Sequence, residues 1–113
     1  MPVVRSLPSA EAEALLELAR ELADQEVAPR AAEMEARSEF PRELFRTLGK
    51  AGLLGLAYDE EHGGGGQPYE VYLQVLEELA RGWLAVGLGT SVHTLACFPV
   101  AAYGTAEQKE RWL

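Results

Sequence analysis

Cysteine is almost missing from this chain. Cys97 is the single one in 113 residues, so no disulfide can close within the chain, and the composition suits a reducing compartment. Positive charge is scarce as well: 10 Lys and Arg stand against 18 Asp and Glu, for a formal net charge of −8. Phosphate backbones and anionic membrane surfaces repel such a chain, which excludes nucleic acid as the expected partner. No run of alternating polar and apolar residues is long enough for a strand, so a sheet is not expected. The opening stretch MPVVRSLPS has one arginine and too few apolar residues between its prolines for a secretory signal.

What is present is helical periodicity. Apolar content of 48% with 25% charged residues is that of a soluble globular domain, and residues 1–113 are read as one domain. Ser9 is an N-cap, with Glu11 and Glu13 in the first turn. Ala12, Leu15, Leu16, Ala19, Leu22 and Ala23 then recur at helical spacing, giving a helix over about 9–28. Pro29 has no N–H to donate and must interrupt or kink it, with a short restart over 29–36. Pro41 opens a helix striped by Leu44, Phe45, Leu48 and Ala51 and ended by Gly52. Leu53, Leu54 and Leu56 form an apolar linker expected to tuck inward, followed by the surface loop 59–68. Tyr72, Val75, Leu76 and Leu79 mark a helix over 69–81, which Gly82 breaks. The fold class predicted is all-α: about five helices in antiparallel, bundle-like packing.

Residues 83–103 carry no formal charge and are long enough to span a bilayer. Gly87, Gly89, Thr90, Ser91, His93, Thr94 and Pro99 interrupt them, and no strong basic flank orients them. The expectation is a buried central helix with no membrane insertion. Gly104 is expected to end it at positive φ. Thr105 and Gln108 then form a T-x-x-Q capping box for a last helix that includes Trp112 and Leu113. So short a helix is marginal alone, so the chain is read as a piece of a longer protein.

Several segments invite chemistry. The glycines at 63–66 have no preceding strand and no following Lys-Ser/Thr, so they are read as a chain reversal and not a phosphate loop. Asp59, Glu60, Glu61 and His62 are consecutive and point apart, which suits a solvated acidic turn better than a metal site. His93 and Cys97 share a helix face, but an apolar setting raises a thiol pKa, so neither is assigned as catalytic. Gly87, Ser91 and Leu95 lie at i, i+4 and i+8, with small residues nearby. Such a face admits either a close-packed helix or an apolar ligand tail, and periodicity alone does not choose.

Five segments in order resemble the N-terminal helical domain of the acyl-CoA dehydrogenase family. They are Phe40-Pro41 through Leu44-Phe45 and Leu48 to Ala51-Gly52-Leu53-Leu54-Gly55-Leu56; Glu60-Glu61-His62-Gly63-Gly64; Glu77-Glu78-Leu79-Ala80-Arg81; Ser91-Val92-His93 with Pro99-Val100; and Gly104-Thr105 through Gln108-Lys109 to Leu113. The resemblance runs from about residue 10 to the end. It implies a homo-oligomeric flavoenzyme that removes two hydrogens from an acyl-CoA thioester. A carboxylate base takes the α proton, and electrons pass through FAD to an electron-transferring flavoprotein. It places the flavin-contacting stretch and that base outside these residues, so no acidic residue here is assigned as catalytic. It assigns the wall of the acyl-chain cavity to Gly87, Ser91, Val92 and Leu95, so that Gly87→Leu would shorten the preferred chain. The setting implied is the bacterial cytoplasm or the mitochondrial matrix. Acyl-CoA oxidases, nitroalkane oxidases and flavin monooxygenases share the domain and are the alternative. A free-standing helical binding module is the other.

Overall fold

The computed structural model describes residues 4–113. Its α-helices are α1 (Ala10–Leu22), α2 (Ala28–Ala36), α3 (Arg42–Lys50), α4 (Tyr69–Gly82), α5 (Leu84–Tyr103) and α6 (Ala106–Trp112), with a single 3₁₀ turn at Glu60–His62 and no strand among the described residues. α1 and α2 run into each other through a π turn, Ala23–Val27, so the helical rods number five, as predicted.

The caps act where the sequence puts them. The Ser9 hydroxyl accepts from the Ala12 N–H at 3.1 Å and starts α1. The α-helix is interrupted just before Pro29 and resumes as α2, as expected, although the rod stays continuous. One turn earlier the ladder widens, and the Ala28 N–H reaches back to the Ala23 carbonyl. This i→i−5 bond makes room where a proline ring would otherwise meet the preceding turn. At the end of α3, Gly52 takes φ +83°. Its N–H donates to Gly49 and the Leu53 N–H to Leu48, each at 3.0 Å. This double return closes the helix and swings Leu53 inward. Leu53 and Leu56 are then buried with Leu44 and Leu48, as the linker reading required.

Gly104 departs from expectation. Its φ is −71°, so it does not end α5 in the left-handed region. It is needed for space: a Cβ there would lie 2.5 Å from the Val100 carbonyl oxygen. The capping box of α6 is present in full, with Thr105 and Gln108 exchanging bonds of 2.9 and 3.1 Å. Thr105→Ala should destabilise α6 by about 1 kcal/mol, read as faster amide hydrogen exchange confined to that helix.

α4 is the hub, packing on α1, the π turn and α5. It buries Val71, Tyr72, Val75 and Leu79 against Leu16, Ala19 and Val27. Trp83 alone, extended and buried, separates α4 from α5, which fold back on each other as a hairpin. The whole is a slab of 41 × 34 × 18 Å, thin enough that an outer helix has no second layer above it.

For that reason α5 is not the buried centre its hydropathy suggested. Only Val86, Gly87, Thr90 and Thr94 of α5 are buried, whereas Leu84, Leu88, Val92, Leu95 and Phe98 are exposed. By length and composition it would also suffice to cross a bilayer.

Candidate functional site

Two apolar grooves flank α5. The first, of 680 Å³, is lined by Tyr58, Tyr69 and Tyr72 on one side and by Ser91, Leu95 and Phe98 of α5 on the other. The loop 59–68 shapes its edge by folding back on the linker. The amides of Gly64, Gly65, Gly66 and Gln67 donate to the carbonyls of Asp59, Gly55, Tyr58 and Leu56 at 2.8–2.9 Å. That approach is so close that a Cβ on Gly64 would sit 2.3 Å from the Tyr58 oxygen. The chain reversal read from the glycine run is therefore what the loop does. Its amides are spent on the chain itself, so the loop offers no cradle for a flavin diphosphate or any other phosphate.

The Tyr58 phenol donates to the Thr94 carbonyl, locking loop to helix. Burial, then the neighbouring Cys97, Tyr69 and Tyr72, push its pKa up, so it stays protonated and remains a donor. The buried hydroxyls of Thr90 and Thr94 turn back onto the carbonyls of Val86 and Thr90 at 2.9 and 3.1 Å, which leaves the α5 face apolar.

The second groove, of 760 Å³, lies between α3 and α5, with Phe40, Phe45, Ala85, Leu88 and Val92 among its walls. Phe40 and Phe45 stack with centroids 5.5 Å apart, and the Arg42 guanidinium sits 5.4 Å above Phe40.

The four residues singled out from the sequence thus separate. Ser91 and Leu95 line the first groove and Val92 the second. Gly87 lines neither: a Cβ on it would lie 2.6 Å from the Ala80 Cβ and 2.8 Å from its Cα. Of the two explanations for a small residue, close helix packing is the one that applies at Gly87. Gly87→Leu would therefore act on folding before it acted on any ligand.

Other candidates are quiet. Asp59, Glu60 and Glu61 are exposed, and no group of three or more His, Cys, Asp or Glu converges among the described residues. The Cys97 thiol lies 3.7 Å from the His93 ring, and burial raises its pKa, so it is no activated nucleophile.

The strongest electrostatic feature escaped the sequence reading. Glu78 is 5% exposed and accepts from Arg5 at 2.9 Å, Arg20 at 3.1 Å and Arg81 at 2.9 Å. Arg5 also pairs with Glu77, and Arg81 with Asp24. Burial opposes ionisation of Glu78, but the three guanidinium hydrogen bonds outweigh it and hold its pKa at about 2. A carboxylate so occupied takes no proton from a substrate. It ties the N-terminal segment, α1 and α4 together.

The profile of "Acyl-CoA dehydrogenase, N-terminal domain" matches residues 9–113. The chain belongs to the acyl-CoA dehydrogenase family. Among curated relatives, an acyl-CoA dehydrogenase of Bacillus subtilis is 37% identical over 97 residues, 85% of this chain and 26% of that protein. A 3-(aryl)acrylate reductase of Clostridium sporogenes is 34% identical over 102 residues, 89% of this chain and 27% of that protein. Human mitochondrial short-chain specific acyl-CoA dehydrogenase is 35% identical over 100 residues, 88% of this chain and 24% of that protein. The chain thus spans about a quarter of the length of these relatives. It also superposes with a TM-score of 0.88 and 27% identity on a chain of the structure described as "Electron transferring flavoprotein of Acidaminococcus fermentans: Towards a mechanism of flavin-based electron bifurcation". That match covers 97% of this chain and 29% of the other. The all-α architecture and the N-terminal position within the acyl-CoA dehydrogenase family are thereby established for this domain.

Proposed function

We propose that this domain serves a polypeptide that oxidises acyl-CoA thioesters to trans-2-enoyl-CoA, and that it supplies part of the wall around the acyl chain. The family match over residues 9–113 carries the reading, and the groove bordered by Ser91 and Leu95 supports it. Gly87, packed on α4, sets how closely α5 approaches it, and Val92 faces the second groove. The cofactor on this reading is FAD, the electron acceptor an electron-transferring flavoprotein, and the assembly a homo-oligomer in the bacterial cytoplasm or mitochondrial matrix. The glycine-rich loop is not assigned to the flavin, because its amides are already paired within the chain. Leu84 and Leu88, exposed on α5 outside the first groove, are where the rest of such an enzyme packs.

Relatives named for short-chain acyl groups and for aryl acrylates leave the acyl class open. The test is anaerobic addition of butyryl-CoA, hexanoyl-CoA or 3-phenylpropionyl-CoA to the purified flavin-loaded polypeptide. Bleaching of the visible flavin absorption is expected with at least one of them; no bleaching with any would overturn the reading.

A further inference from the structure

We propose that the first groove selects an acyl group ending in an aromatic ring over a straight aliphatic chain of similar reach. The inference rests on the reading of that groove as an acyl-chain wall. The chain has four tyrosines, and three of them, Tyr58, Tyr69 and Tyr72, converge on this one space with Phe98 opposite. An aliphatic tail needs only apolar volume, which Leu and Val supply. The rings with exposed surface on the two sides, Tyr69 and Phe98, add a quadrupole attraction that another ring returns.

Two of these rings are held by the fold, while Tyr69 and Phe98 stand 61% and 54% exposed. Tyr72 is 3% exposed. Tyr58 is held by its hydroxyl to the Thr94 carbonyl. Tyr69 leans on Tyr72 with centroids 5.0 Å apart and planes at 58°. Phe98 stands edge-on to Tyr103 at 6.3 Å. A rigid ring loses less entropy on entering such a groove than a flexible chain, which must itself be ordered. Ser91 is a small residue on the α5 side of the same groove.

The experiment uses the flavin-loaded polypeptide and two readouts. One is kcat/KM for 3-phenylpropionyl-CoA against hexanoyl-CoA. The other is the dissociation constant of each enoyl product, cinnamoyl-CoA and trans-2-hexenoyl-CoA, by equilibrium dialysis, which is independent of turnover. The aryl compound is expected to lead by about tenfold in both. Phe98→Leu, at an exposed position where folding is not at stake, should lower that ratio about 3- to 10-fold, and Phe98→Tyr should preserve it. Reduction of the flavin by hexanoyl-CoA with a ratio at or below one would overturn the aryl preference and leave the dehydrogenase reading standing. So would an aryl lead that survives both Phe98→Leu and Tyr69→Leu unchanged. Failure of every acyl-CoA to reduce the flavin would overturn both.

Discussion

Replacing Glu78 with glutamine is expected to destabilise the domain by about 3 kcal/mol, the lower end of what removing one partner from a buried ion pair costs. The lower end applies because the three arginines are not equally stranded. The side chains of Arg20 and Arg81 are 36% and 51% exposed and can turn to water, whereas that of Arg5, at 8%, cannot. Glu77→Gln, at a carboxylate 60% exposed, should change stability by less than about 1 kcal/mol. Urea unfolding of the two variants beside the unaltered chain measures the contrast, and equal effects would deny Glu78 its role. Acid offers an independent check. The folded chain lowers the Glu78 pKa from 4.5 to about 2, so the unfolded chain binds the proton more tightly. The stabilisation is therefore complete above about pH 4.5 and drains away as pH falls toward 2, by about 3 kcal/mol in total. In Glu78→Gln the loss of stability over that window should be smaller by about that amount.

Gly87→Leu should destabilise the domain by about 3 kcal/mol or more, and Gly87→Ala by about 1–2 kcal/mol. In an exposed helix interior, Gly→Ala is worth up to about 1 kcal/mol in the other direction. Here the clash wins, because the atoms met are the Ala80 backbone as well as its Cβ, and a backbone cannot swing aside. Gly49 is the control: it is helical and exposed, and a Cβ would meet only the flexible end of Leu54 at 3.3 Å. Gly49→Ala should be neutral or slightly stabilising. If Gly87→Ala instead matched Gly49→Ala in thermal unfolding, the close crossing of α4 and α5 would be wrong.

These two sites show where sequence reading succeeds and where it stops. Ser9, Gly52, Thr105 and Gln108 were legible because a cap is made with atoms a few residues away. So was the inward turn of Leu53, which follows from the Gly52 closure. Glu78 was not, since its partner Arg5 lies 73 residues off and no local pattern joins them. Gly87 carried the right information, a demand for smallness, but smallness does not say which neighbour makes the demand. The apolarity of α5 was read as burial because hydropathy reports what a face prefers and not what covers it. The aromatic groove was not read from the sequence, because only the hairpin of α4 and α5 brings Phe98 across to Tyr58, Tyr69 and Tyr72.

The π turn at Ala23–Val27 has a consequence for how this region can change by descent. The widened turn accommodates the ring of Pro29, and it holds one residue more than an α turn would. Deleting a residue within 23–27 would restore the α ladder but drive the proline ring into the carbonyl four residues before it, besides rotating Ala31 and Met34 off the core they touch. Losing Pro29 alone would leave an extra residue with nothing to accommodate. Insertions, deletions and this proline are therefore coupled, and a lineage that drops one is expected to drop the other.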